Sequence, residues 1–292
     1  MMRHEAFYDS LDHLVLRTIA LSIRHAPGLE KLDFLWNLLR GPYHWLSSFG
    51  NNGMRVVVGR KFAVRIPPEY SGATRWEDYE PESASKFAEW IAYHTNAIIL
   101  DVGSAFGVFS VTALFASKES SVIAFDGDLA SLKATSRVCQ YASGERLQLV
   151  YGLISESDVQ ETTITQAVQR TSQLLKDLPI SGDIDTTKYI CLHGNSDRHI
   201  PLYTLDSLLS EVPSDRPLLL KCDVEGAEFL VLRGAMKILQ THRPTLLISV
   251  HPNALPDYGI TKADIELFLQ DSHYAWEVIA IDHEEHWWCQ PI

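Results

Sequence analysis

The segment Asp101-Val102-Gly103-Ser104-Ala105-Phe106-Gly107 sets two glycines four residues apart, directly after an apolar run and directly before a helical stretch, 108–116. Glycines in a strand-to-helix turn let a ligand press against bare backbone, and the helix N-terminus behind them offers unpaired N–H groups to an anionic group. A dinucleotide fingerprint requires G-x-G-x-x-G. Here Ala105 stands at the place of its second glycine and no third glycine follows in register. The D-x-G-x-x-x-G spacing instead suits S-adenosylmethionine (SAM), with N–H groups for its carboxylate and an acid such as Asp101 for its ammonium. Farther on, Ala124-Phe125-Asp126 puts a carboxylate at the tip of the next apolar run, where a doubly wound site places the acid that accepts hydrogen bonds from ribose hydroxyls. The plainer alternative is a tight strand–helix turn with a solvated Asp.

These residues need a frame. Short β-branched runs at 97–102, 121–125, 147–150, 218–222 and 245–250 alternate with amphipathic stretches, and this alternation implies right-handed βαβ crossovers and a doubly wound α/β sheet. The runs 276–281 and 286–290 flank Asp282-His283-Glu284-Glu285 and read as an antiparallel hairpin closing the sheet edge. A polar insertion, 155–200, interrupts the alternation and carries a helix over 163–175. Upstream, 11–23 and 32–39 have helical spacing, and 54–58 and 62–66 form a hairpin around a Gly-Arg-Lys turn. The expected organisation is an N-terminal helical and hairpin extension, 1–75, followed by a catalytic domain, 76–292. The N-terminal helices would pack on that domain or on a second copy in a homo-oligomer.

Composition excludes several classes. The 292 residues are 46% hydrophobic and 21% charged, as in a packed globular protein. With 25 Lys+Arg against 37 Asp+Glu the net charge is −12, which repels phosphate backbones and disfavours nucleic acid as a partner. The apolar stretch near the start, 14–16, is broken by Arg17 and is far short of the ~20 residues of a membrane span. Cys139, Cys191, Cys222 and Cys289 form no CxxC pair, which suits free thiols in a reducing cytoplasm.

The strand ending Lys221-Cys222-Asp223 runs into Val224-Glu225-Gly226-Ala227-Glu228. Together with the turn at 101–107, Ala124-Phe125-Asp126, Leu205-Asp206-Ser207-Leu208, Arg243-Pro244 and Tyr79-Glu80-Pro81-Glu82, it resembles the FkbM family of SAM-dependent methyltransferases. The resemblance spans roughly Tyr79 to the C-terminus. It implies a class I methyltransferase fold, a seven-stranded sheet with an antiparallel last strand, and O-methylation of a hydroxyl on a sugar or other secondary metabolite. It places the cofactor on Glu80, Asp101, Gly103, Ser104, Ala105, Gly107 and Asp126. Two positions depart from the family pattern: Ala105 stands where Asn is common, and Asp126 where Glu is usual.

A sugar hydroxyl is a feeble nucleophile at neutral pH, so a general base or an acidifying metal is expected beside it. Asp223 and Glu225 follow one strand and His251 follows the next. His251 is the expected base, for its intrinsic pKa, with Asp223 or Glu225 orienting it or the acceptor. Mg²⁺ or Mn²⁺ on these three groups stays open, and no metal ligand set is assigned. The run His283-Glu284-Glu285-His286 is H-E-E-H and not H-E-x-x-H, and reads as a solvated turn. Two rival readings are a NAD-dependent oxidoreductase or epimerase, and a catalytically inactive binding subunit. Finally, between Arg40 and Trp76 stand six basic residues, Arg40, Arg55, Arg60, Lys61, Arg65 and Arg75, against the single acid Glu69; they either hold an anion on the acceptor or pair with the acidic domain.

Overall fold

The computed structural model describes residues 53–157, 162–176, 200–210, 212–213 and 215–292. The two N-terminal helices, and with them the expected oligomer contact, lie outside the described residues, as does Cys191. The hairpin comes first, β1 (Met54–Val58) and β2 (Phe62–Ile66), with Val56 opposite Val64. Helix α1 (Pro81–Tyr93) leads to β3 (Ile98–Val102), α2 (Val108–Ala116), β4 (Ser121–Asp126), α3 (Leu129–Val138) and β5 (Leu147–Tyr151). The short β6 (Leu153–Ile154) and β7 (Leu202–Tyr203) pair in parallel across the insertion that carries α4 (Ile164–Lys176). Then follow α5 (Leu205–Leu208), β8 (Leu218–Cys222), α6 (Glu228–Arg233), α7 (Met236–Thr241), β9 (Thr245–Val250), α8 (Lys262–Asp271), β10 (Tyr274–Ile281) and β11 (Glu285–Pro291).

Seven strands form one sheet in the order β10-β11-β9-β8-β3-β4-β5. The five strands β3, β4, β5, β8 and β9 are mutually parallel, and the last strand, β11, runs antiparallel to both its neighbours. This is the expected class I methyltransferase-like α/β fold. Every residue of β3, β8 and β9 is buried, because helices cover both faces of a parallel sheet. The terminal hairpin differs from a simple edge closure in one respect: β11 lies inside β10. Its Trp287, Trp288 and Cys289 are fully buried, whereas Val278 and Ile281 of β10 are exposed. The strand apolar on both faces takes the inner position and the alternating one takes the edge.

One cluster of buried side chains joins the hairpin to the sheet. Val56, Val58, Val64 and Ile66 pack with Phe87 and Ile91 of α1 and with Phe109 and Leu114 of α2, so the hairpin shares the core of the catalytic domain. Its cations face acids of the same region. Arg60 donates from Nε and Nη2 to Asp78 at 3.2 and 2.9 Å, and Lys61 pairs with Glu89 and Ser85. These contacts match the plainer of the two readings of the basic strip. Among the described residues no helix is long and apolar enough to cross a membrane, and Cys139, Cys222 and Cys289 are buried free thiols.

The chain changes direction between β3 and β8, which is where an open α/β sheet leaves a crevice for ligands. The two strand ends touch there: the Asp223 amide donates to the Val102 carbonyl at 3.0 Å. Gly103 has φ of +78°, and a Cβ on it would lie 1.7 Å from the Asp223 carbonyl oxygen. The glycine is therefore required by backbone approach as well as by φ. Gly103→Ala is expected to lower unfolding free energy by at least ~2 kcal/mol in denaturant titration; an unchanged midpoint would contradict this packing.

Candidate functional site

A cavity of about 560 Å³ opens over the carboxyl ends of β3, β4 and β8, within the usual volume for a cofactor-sized ligand. Gly103, Ala105, Phe106 and Asp126 line the β3–β4 side, while Asp223, Glu225 and Glu284 line the other. Glu80 and Tyr79, just ahead of α1, also reach the wall.

The β3–β4 side follows from turn geometry. Gly107 caps α2 in the left-handed region, and its amide donates to the Ser104 carbonyl at 2.7 Å, tightening the turn. Ala105 is also left-handed, with φ of +48°, a conformation that Asn or Gly adopts more readily than Ala. Its amide donates to Asp126 Oδ2 at 2.8 Å, and the Asp128 amide donates to Oδ1 at 2.8 Å. Asp126 thus holds the turn and still keeps lone pairs for a ligand. Burial, resisted by these two amides, pushes its pKa up to about 7. Ser104 is buried with a hydroxyl that has no partner; it and Gly107 lie behind the wall.

Asp101 is also behind the wall. It is 1% exposed, accepts from Ser110 Oγ at 2.6 Å, and lies 3.9 Å from the Lys221 ammonium. Burial raises its pKa despite these two partners. Lys221 itself is 2% exposed, donates to Gly103 O and to Asp223 Oδ2, both at 3.2 Å, and sits 5.1 Å from the Phe109 ring centre. Burial would lower its pKa, but the charges of Asp223, Asp101 and Glu80 outweigh burial and raise it. An ammonium in this position ties β8 to β3 from below the cavity floor.

Glu80 takes the left-handed position before α1, φ +38°, and its buried Oε2 has no hydrogen-bond partner. Burial, reinforced by Asp223, lifts its pKa well above the ordinary carboxylate value.

On the far side the structure brings Asp223, Glu225 and His251 together. His251 is 6% exposed and its Nδ1–H donates to Glu228 Oε1 at 2.8 Å. Its Nε2 lies 2.5 Å from Glu284, 3.4 Å from Glu225 and 3.8 Å from Asp223. Burial would lower the imidazole pKa, but the hydrogen bond to Glu228 and the carboxylates of Glu284 and Asp223 pull it up to about 11. In the ligand-free protein these carboxylates favour the protonated imidazole. Glu225, half-buried at the cavity wall with φ of +55°, has its pKa raised chiefly by burial.

Sequence reasoning missed three members of this cluster. Glu228, fully buried, accepts from the Gly226 amide at 2.8 Å as well as from His251; it, and not Glu225, takes the helix-start hydrogen bond. Glu284 and His286 are 4% and 0% exposed while His283 stays exposed, so the H-E-E-H run is only partly solvated. The signal for them was the strand partner. His286 pairs with Ser249 in the β9–β11 register, and Glu285 with Val250, which delivers the turn to the end of β9 beside His251.

A family model described as "Methyltransferase FkbM domain" matches residues 101–275. No curated protein matches the chain. Among solved structures, methyltransferase FkbM from Methylobacillus flagellatus KT is similar at 16% identity and TM-score 0.41, over 66% of this chain and 43% of that one. The chain thus spans less than half of that relative. A precorrin-6y C5,15-methyltransferase from Geobacter metallireducens GS-15 is similar at 9% identity and TM-score 0.42, over 74% of this chain and 88% of that one. A putative caffeoyl-CoA O-methyltransferase from Staphylococcus aureus is similar at 11% identity and TM-score 0.38, over 71% of this chain and 82% of that one.

Removing the buried ammonium leaves Asp101 and Asp223 facing each other without compensation. Lys221→Met should therefore cost ~3–5 kcal/mol of unfolding free energy by denaturant titration; a loss below ~1 kcal/mol would show that Lys221 is not what joins the two strand ends.

Proposed function

The chain belongs to the FkbM family of SAM-dependent methyltransferases, and from that membership we propose that it transfers a methyl group to a hydroxyl of a sugar or another secondary metabolite. The observation that carries this reading is a cavity lined over β3 and β4 by Gly103, Ala105 and Asp126 and on its other side by Asp223, Glu225 and Glu284. The cofactor and the acceptor meet between them.

The residues present fit SAM. Asp126 has lone pairs to spare for ribose hydroxyls; the amides of Gly103, Ser104, Ala105 and Gly107 already donate to Phe125 O, Asp126 and Ser104 O, which leaves the Phe106 amide at the cavity wall and the first turn of α2 for the carboxylate of the amino-acid end. For the ammonium, Glu80 is better placed than Asp101. Glu80 lines the cavity, with its Oε2 buried 3.4 Å from His286 Nδ1, whereas Asp101 is outside the lining and committed to Ser110 and Lys221. When bound, SAM supplies a methyl group on a positive sulfur, ready for in-line displacement.

What the chain's own residues then do is align the acceptor and receive its proton. Alignment alone supplies much of the acceleration. Asp223 and Glu225 line the cavity and are placed to orient the hydroxyl and take its proton. His251, held protonated by its carboxylates, stabilises these anions. The expected assignment of the base to His251 thus passes to the carboxylates beside it.

Two measurements follow. The Asp126 carboxyl titrates near 7, and only its ionised form accepts two ribose hydroxyls, so SAM affinity should rise with pH. Between pH 6 and pH 8 the dissociation constant should tighten about tenfold by calorimetry. Asp126→Asn should lose that part of the dependence and bind at least ~10-fold more weakly; identical profiles for both proteins would contradict the assignment. For the acceptor, mass spectrometry of metabolites from cells with and without the gene should show a hydroxylated compound that has lost an O-methyl group. A missing N- or C-methyl group instead would overturn the hydroxyl reading.

A further inference from the structure

We propose that Asp223, Glu225 and His251 form a binding site for one divalent cation of the Mn²⁺ or Mg²⁺ type, with Glu284 closing it from the 282–284 turn. Ligand atoms of the first three all lie within 4.8 Å of one another, close enough for one cation to engage all three with small side-chain adjustments at oxygen and nitrogen bond lengths of roughly 2.0–2.4 Å.

An acidic cluster alone would not carry this. The independent observation is His251 Nε2. The residue is 6% exposed and the atom is buried without a hydrogen-bond partner. It points among the oxygens of Glu284, Glu225 and Asp223 at 2.5–3.8 Å, and even the shortest approach lacks hydrogen-bond alignment. A buried polar nitrogen is expected to be satisfied, and a cation between it and the carboxylates would satisfy it, displacing to solvent the Nε2 proton that the carboxylates favour in the metal-free protein.

The other face of the ring supports the same assignment. Nδ1–H donates to Glu228, which the Gly226 amide fixes in turn. A metal-ligating imidazole commonly donates its second N–H to a carboxylate, which sets the tautomer and aims the free nitrogen. Charge agrees as well. Four carboxylates, Asp223, Glu225, Glu228 and Glu284, face one imidazole, with the Lys221 ammonium on Asp223 as a further cation, and the remaining excess of partly buried negative charge is costly unless compensated.

The neighbouring histidine provides a contrast. His286 could join Glu80 and Glu284 in a similar group, but its Nδ1 faces Ser249 and its Nε2 faces Asp282, both at 3.4 Å, and neither nitrogen is orphaned. The donor set of one imidazole and several carboxylates suits Mn²⁺ or Mg²⁺ better than a thiolate-seeking metal. Cation binding stands on this geometry alone. Its use, lowering the pKa of an acceptor hydroxyl held beside Asp223 and Glu225, rests on the proposed methyl transfer to a hydroxyl.

The test is Mn²⁺ titration of the full chain, read by the loss of the free Mn²⁺ electron paramagnetic resonance signal, with Mg²⁺ as competitor. The expected result is one Mn²⁺ per chain, weakened at least ~10-fold by Glu225→Gln and by His251→Asn. Glu225→Gln, at a half-exposed position, should keep the rise in melting temperature on adding SAM, which shows an intact fold. A wild-type chain that SAM stabilises but that binds no Mn²⁺ stoichiometrically would overturn the cation site and leave the methyltransferase reading standing. Mn²⁺ binding without SAM stabilisation would do the reverse. Mn²⁺ binding unchanged by both substitutions would also overturn the site.

Discussion

The buried ammonium of Lys221 is the constraint on which the rest of the site depends. It stands at the end of β8, 2% exposed, between Asp101 of β3 and Asp223 beyond β8, and it also holds the Gly103 carbonyl. A charge so deep persists only with partners on several sides. Here those partners are the two strand ends between which the strand order reverses, so one cation fixes the floor of the cavity. The Asp101 carboxylate is buried in that floor and does not line the cavity.

From this floor the strand order distributes the chemistry. β4 stands on one side of β3 and delivers Asp126, whose two backbone hydrogen bonds shape the glycine turn. On the other side β8, β9 and β11 deliver Asp223, Glu225, His251 and the 282–284 turn in adjacent positions. The antiparallel last strand is what makes the acidic side possible. Because β11 lies inside β10, its entry turn falls at the end of β9 and places Glu284 against His251. Asp223, Glu225, Glu228 and Glu284 are thereby gathered around one imidazole.

Much of this was legible from sequence because it is local. The glycine turn, Asp126 at a strand tip and the apolar runs of β3, β8 and β9 are set by nearest-neighbour rules of φ, strand burial and helix start. The Asp223–Glu225–His251 grouping was legible because all three follow parallel strands, whose carboxyl ends share one edge of the sheet. Glu228, Glu284 and His286 were not legible. Glu228 reads as a helix-start acid, and its second hydrogen bond crosses to β9. Glu284 and His286 lie in a polar turn whose burial depends on where the last strand inserts, a long-range choice made by Trp287, Trp288 and Cys289. The protonation of His251 was hidden for the same reason, since it comes from carboxylates of three separate elements.

The most direct measurement of the central claim, one cavity with the cofactor over β3–β4 and its reactive end turned toward the acidic side, is a crystal structure with S-adenosylhomocysteine bound. The account predicts ribose hydroxyls on Asp126, the amino group near Glu80, and the sulfur directed at Asp223 and Glu225. A nucleoside bound over β8 and β9, or a sulfur directed away from the acidic cluster, would contradict it.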